Sequence, residues 1–185
     1  AIYFSKRVTR AVPDGGPIEA HTDLVKKLEY ECELAVVLGR DARDVPTGQT
    51  RDYIFGYTIL NDVSARDVQT AHKQWYFGKS LDGFTPIGPC IVTADAFADY
   101  PPRLGIRSFV NGEKRQDSNT ALQIFDIDHV IAELSQGMTL KAGTIIATGT
   151  PAGVGMGMDP PQFLKPGDVV RCEIEGIGTL TNPVK

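Results

Sequence analysis

Four stretches of this chain carry residues of the types and spacing that chemistry needs. The first holds Glu31 and Glu33, one residue apart in the apolar run from Leu28 to Leu38. The run reads as one strand, whose side chains alternate faces. Leu28, Tyr30, Cys32 and Leu34 then share one face, and Glu29, Glu31 and Glu33 share the other. Same-face neighbours stand about 7 Å apart. Two carboxylates at that spacing repel by about 0.6 kcal/mol in water and about 2.4 kcal/mol at an effective dielectric of 20. Two readings stand side by side. Alternating glutamates are the ordinary mark of a sheet with one wet face. A partly buried pair instead calls for a raised pKa or a bound cation, and a cation needs further oxygen ligands.

The second stretch, Asn61-Asp62-Val63-Ser64-Ala65-Arg66-Asp67-Val68-Gln69, directly follows the apolar run Tyr57 to Leu60. Polar residues between the end of a buried strand and the start of a helix are well placed to face a ligand. Asp62 is the candidate third carboxylate; the alternative is a role in caps and turns for Asp62, Ser64 and Asp67. The third stretch places Lys79 among Trp75, Tyr76, Phe77 and a glycine-rich turn. Such a lysine is either desolvated, paired with an acid, or a surface residue with its stem on aromatic rings. The fourth, Thr148-Gly149-Thr150-Pro151-Ala152-Gly153-Val154-Gly155, is a glycine loop after a strand. It lacks the spacing of a phosphate loop and leads to Pro160-Pro161, so its glycines are read as allowing close backbone approach to a small ligand or a tight turn.

The elements that must position these residues are mostly strands. Short apolar runs predict strands over Ile2 to Phe4, Leu28 to Leu38, Tyr57 to Leu60, Ile87 to Thr93 and Gly143 to Gly149. Asn111-Gly112 predicts a tight hairpin between Ile106 to Val110 and Glu113 to Gln116. A second hairpin, Asp168 to Glu175 with Gly178 to Pro183, turns across Gly176. Ser64 is the expected cap of a helix over Ala65 to Lys73. Asp126 should cap a helix whose apolar positions are Ile127, Val130, Ile131 and Leu134, ended by Gly137. Strands do not alternate with long helices, which disfavours a doubly wound sheet.

The whole chain sets the outer limits. Its 185 residues, 42% hydrophobic and 23% charged, suit one globular domain. A net charge of −4 with no basic stripe argues against nucleic acid as a partner. No apolar stretch approaches a membrane span. Cys32, Cys90 and Cys172 are odd in number and widely spaced, which fits buried free thiols in a reducing cytoplasm. His21, His72 and His129 show no ligand spacing. No serine stands in a nucleophile elbow, and no cysteine stands beside a base.

Taken in order, these stretches resemble the fumarylacetoacetate hydrolase family. The likeness rests on Tyr30-Glu31-Cys32-Glu33-Leu34, on Asn61 to Asp67, on Gly78-Lys79-Ser80 with Asp82 and Pro86-Ile87-Gly88-Pro89, on Gly149 to Gly155, and on Leu164-Lys165-Pro166-Gly167-Asp168. It covers more than four-fifths of the chain. The resemblance implies a mixed α/β, β-rich fold, a β-sandwich roll with a few short helices, formed by residues 1–185 as a single catalytic domain. It also implies a homodimer and a divalent cation, Mg²⁺ or Mn²⁺, on Glu31, Glu33 and Asp62. Lys79 becomes the catalytic lysine beside the metal, and Arg66, Gln69 and Thr150 become substrate contacts. The implied substrate is a small 2-oxo or 1,3-dicarbonyl acid reacting through an enolate. Hydrolytic carbon–carbon cleavage is the leading expectation; isomerisation of a hydroxymuconate and decarboxylation or tautomerisation of oxaloacetate are alternatives, as is a non-catalytic metal-binding member. Hydrolytic members carry a water-activating His-Glu pair in an N-terminal lid segment, which is expected to lie outside this sequence. His21 stands too close to the glutamate strand to replace that pair.

Overall fold

The computed structural model describes residues 1–185. Its central feature is a corner where two neighbouring strands break at the same level. The run expected as one strand splits into β1 (Leu28–Glu29) and β2 (Cys32–Leu38). Its neighbour splits into β3 (Ile54–Asn61) and β4 (Ser64–Ala65). β1 pairs with β4, Leu28 opposite Ala65, while β2 pairs with β3, Cys32 opposite Asn61. Tyr30-Glu31 and Asp62-Val63 are the residues left at the corner. Its backbone groups stay satisfied: Glu31 N donates to Asn61 Oδ1 at 2.9 Å, and Asp62 N donates to Glu31 O at 2.8 Å.

Two four-stranded antiparallel sheets surround this corner. One has the order β5 (Ile87–Thr93), β3, β2, β8 (Ile145–Ala147). The other has the order β10 (Gly178–Pro183), β9 (Val169–Ile174), β6 (Gly105–Val110), β7 (Glu113–Asn119). Their shared core takes Leu34, Val36 and Ile59 from the first sheet and Ile106, Val170, Ile174 and Leu180 from the second. Burying each such side chain stabilises the fold by about 1.5–3 kcal/mol. Three short helices complete it: α1 (Arg66–Ala71), α2 (Tyr76–Lys79) and α3 (Ile127–Leu134). The fold is mixed and β-rich, a sandwich roll with a few short helices, as expected. No helix is long and apolar enough to cross a membrane.

Local signals that needed no partner strand hold. Asn111 and Gly112 turn the β6–β7 hairpin with φ of 52° and 83°. Asp126 caps α3 through His129 N at 2.8 Å, and Gly137 follows the helix at φ 68°. Other expectations are corrected. Ile2 to Phe4 forms no strand, since it pairs with no strand of either sheet; residues 1–7 run as an irregular segment. Ser64 does not cap α1: its hydroxyl donates to Asp62 O at 2.8 Å, and Ala65 holds the cap position. The Gly143 to Gly149 strand shrinks to β8, since Gly143 sits in a turn with φ 85°. Cys32 and Cys172 are buried free thiols, but Cys90 is exposed on the edge strand β5.

Candidate active site

The alternation of β2 places Cys32, Leu34, Val36 and Leu38 in the core shared with the second sheet. Glu33 therefore points the other way, into a cleft of about 1530 Å³. The corner turns Glu31 and Asp62 into the same cleft. Carboxylate oxygens of Glu31, Glu33 and Asp62 lie within 4.8 Å of one another. This face is not wet: Glu29 is 0% exposed, Glu31 6%, Glu33 3% and Asp62 1%. The ordinary reading of alternating glutamates is overturned, and the cap-and-turn reading of Asp62 with it.

Three cations interleave with these acids. Arg66, at the start of α1, bonds Glu29 through Nε and Glu31 through Nη2, and its Nη1 donates to Gln69 Oε1 at 3.0 Å. Lys79, at the end of α2, donates to Glu31 Oε2 and Asp62 Oδ2, each at 2.5 Å. Lys6, from the irregular N-terminal segment, donates to Asp62 Oδ1 at 2.6 Å. The order Glu29, Arg66, Glu31, Lys79, Asp62, Lys6 thus alternates in sign. Glu33 stands apart from it. Its Oε2 accepts Gly149 N at 2.8 Å, and no cation reaches it.

Titration follows that arrangement. Burial raises the Glu33 carboxyl well above the usual carboxylate range, with the nearby Asp62 and Glu31 charges adding to it. Burial also raises Glu31, only partly offset by Lys79. For Asp62, burial is outweighed by Lys6 and Lys79, and the carboxyl is held below its ordinary value. Burial favours a neutral Lys79, but Asp62 and Glu31 outweigh it and raise its pKa. Lys79 is therefore a paired, charged lysine rather than a neutral one.

The glycine loop serves the first carboxylates from the other side. It continues from β8 along the start of β2, with Thr148 Oγ1 donating to Leu34 O at 2.8 Å and Thr150 Oγ1 to Cys32 O at 2.9 Å. Gln116 of β7, fully buried, locks this junction: its Oε1 accepts from Cys32 N and Ser108 Oγ, and its Nε2 donates to Thr150 Oγ1 and Pro151 O. The glycines do allow close approach, but to the protein's own backbone. A Cβ on Gly153 would meet Arg115 O at 2.1 Å, and one on Gly155 would meet Gln162 O at 1.7 Å.

Each residue singled out in the sequence for this site lines the one cleft: Glu31, Glu33, Asp62, Lys79, Arg66, Gln69 and Thr150. Arg66 is already committed to protein acids, and Thr150 to backbone and Gln116. The sequence reading missed Glu29, Lys6 and Gln116. Glu29 was visible as a third alternating acid; Lys6 and Gln116 carried no local signal, since their partners lie 56 and 84 residues away. His21 lies outside the cleft, bonded to Asp82 O at 2.8 Å.

The acid cluster suits a hard cation. Its donors are all carboxylate oxygens, with no thiol or imidazole, and this set favours a hard cation over softer metals. Hard cations take oxygens at about 2.0–2.1 Å for Mg²⁺ and about 2.3–2.6 Å for Ca²⁺, so oxygens on opposite sides of one ion are about 4–5 Å apart, with Mg²⁺ at the short end. The trio falls within that span.

Fold and site together define a β-rich sandwich-roll protein whose cleft closes on a buried carboxylate trio. Comparison with known proteins places it further. The family model for the C-terminal part of fumarylacetoacetate (FAA) hydrolase matches residues 1–185. The chain belongs to the fumarylacetoacetate hydrolase family. It is 45% identical over 181 residues to the oxaloacetate tautomerase YisK of Bacillus subtilis, covering 98% of this chain and 60% of that protein. Among solved structures, a fumarylacetoacetate hydrolase from the psychrophile Exiguobacterium antarcticum superposes with a TM-score of 0.91 at 51% identity, covering 94% of this chain and 62% of the other. A 5-carboxymethyl-2-hydroxymuconate delta-isomerase from Mycobacterium smegmatis gives a TM-score of 0.82 at 42% identity, covering 93% and 64%. The chain spans about three-fifths of the length of the curated relatives it matches.

Proposed function

We propose that this protein is a divalent-metal-dependent enzyme that enolises a small 2-oxo acid, with tautomerisation of an oxaloacetate-like substrate as the leading reaction. The observation that carries this reading is the convergence of Glu31, Glu33 and Asp62 within 4.8 Å in a buried cleft. Glu31, Glu33 and Asp62 would hold Mg²⁺ or Mn²⁺, which would supply Lewis acidity to a bound oxo acid. Lys79 is charged, so it stabilises the negative charge that develops on the enolate oxygen rather than taking up a proton. Arg66 keeps Glu31 aligned and offers its remaining hydrogen-bonding capacity to the substrate carboxylate. Gln69 and Thr150 line the same cleft and would complete the substrate site, Gln69 through its amide nitrogen and Thr150 without its hydroxyl proton, which is donated to Cys32 O.

Keto–enol exchange moves one proton between a carbon and the neighbouring carbonyl oxygen and breaks no carbon–carbon bond. The similarity to the Bacillus tautomerase supports it. Hydrolytic cleavage of an acylpyruvate is the second reading, supported by the similarity to the Exiguobacterium protein. It shares the enolate but also needs an activated water. The protein is further proposed to act as a homodimer on a small-molecule acid.

The test separates the two reactions. Enol oxaloacetate and acetylpyruvate are each incubated with the protein and millimolar Mg²⁺, then with excess chelator. The expected result is Mg²⁺-dependent acceleration of the oxaloacetate enol-to-keto conversion. Release of pyruvate and acetate from acetylpyruvate would instead favour hydrolysis. Full activity in chelator contradicts the metal reading.

A further inference from the structure

Both oxygens of Asp62 are engaged by ammonium groups, and the two lysines are held very differently. Lys79 is 2% exposed, belongs to α2, and has a second acid partner in Glu31. Lys6 has one carboxylate partner, plus the carbonyl of Val63 at 3.1 Å. It comes from the segment 1–7, which joins no sheet. That segment is fastened by few contacts. Tyr3 bonds Glu133, Arg7 N donates to Ser80 Oγ at 3.0 Å, and the Phe4 ring meets Trp75 edge-on at 5.4 Å. Residues 1–6 nevertheless line the cleft beside the acid trio.

Charge adds a second argument. The cluster holds four carboxylates (Glu29, Glu31, Glu33, Asp62) and three cations (Lys6, Arg66, Lys79). With all groups ionised the balance is four negative against three positive, or −1. Addition of a divalent ion would bring it to +1. The excess is relieved if one cation leaves the acids, and only Lys6 can leave without breaking two buried ion pairs. Its ammonium is a compact charge on a flexible stem, so it can swing while staying in the cleft.

We propose that Lys6 is the displaceable cation of this site: it yields Asp62 Oδ1 when Glu31, Glu33 and Asp62 take up a divalent ion, and its freed ammonium then pairs with the anionic group of the substrate. This inference rests on the metal reading above. Lys6 thereby competes with the metal and assists the substrate. Substituting it has effects of opposite sign on the two ligands, which loss of packing alone does not produce.

The experiment compares the wild type with Lys6→Met and Lys6→Gln by calorimetry. Mn²⁺ is titrated first, and oxalate, a stable planar mimic of an enolised oxo acid, is then titrated into the Mn²⁺-saturated protein. Both variants should bind Mn²⁺ about fivefold more tightly or better, the lower end of ordinary coupling between sites. Both should bind oxalate about fivefold more weakly or worse, again by the size of such couplings. Equal or weaker Mn²⁺ binding in both variants overturns the displacement. Unchanged oxalate binding overturns the substrate role. A wild type that binds no Mn²⁺ overturns the metal reading itself and carries this inference with it.

Discussion

Strands β2 and β9 obey the same alternation rule and reach opposite results. In β9, Val170, Cys172 and Ile174 enter the core while Arg171 and Glu173 face out and pair at 3.1 Å. In β2, the core face is equally apolar, but the opposite face is buried as well, and it carries Glu33. A glutamate on β9 costs nothing because water solvates it. A glutamate on β2 has lost that water and has gained one backbone N–H from Gly149. Burying a carboxylate with so little compensation is unfavourable for folding alone. The molecule keeps it where two further acids converge, which is the physical reason to read the site as functional.

The sharpest way to break this contrast is to remove one of the converging acids. Asp62→Asn should lower metal-dependent turnover by about a thousandfold, since Lewis-acid stabilisation is worth several kcal/mol and each 1.36 kcal/mol is tenfold. Steady-state kinetics in saturating Mg²⁺ measure it, and wild-type turnover removes Asp62 from the metal role.

Glu33→Gln tests the buried side of the comparison through pH. The Glu33 pKa is raised in the folded metal-free protein, so the native state binds more protons than the unfolded one above about pH 4.3. Its contribution to stability is fully present below that pH and is lost as pH rises through the folded pKa. Urea unfolding in chelator should therefore show Glu33→Gln more stable than wild type at pH 8 and similar at pH 4. Parallel pH profiles contradict the raised pKa. The same substitution on the wet strand, Glu173→Gln, should change stability by less than about 1 kcal/mol at either pH; a larger loss would mean that the two faces differ less than described.

The sequence made legible what local chemistry decides. Asn111-Gly112 specifies its turn by positive φ, and Asp126 caps α3 with its own side chain. Glu31, Glu33 and Asp62 were legible one by one as acids beside apolar runs, and the family resemblance joined them into one set. Burial of Glu29, Glu31 and Glu33 was not, since a wet strand and a buried one share the same alternation. The break at Tyr30-Glu31 also had no local sign: it falls where the neighbouring strand turns at Asp62-Val63. Lys6 was invisible for a related reason. The apolar residues before it suggested a strand, yet they pair with no strand of either sheet, and the segment lies along the cleft instead.

The most direct test is a crystal of the protein grown with Mn²⁺ and measured at a wavelength where manganese scatters anomalously. One strong anomalous peak, in contact with oxygens of Glu31, Glu33 and Asp62, is the expected result. A peak on other residues, or none at millimolar Mn²⁺, would contradict the claim that these three acids form a metal site.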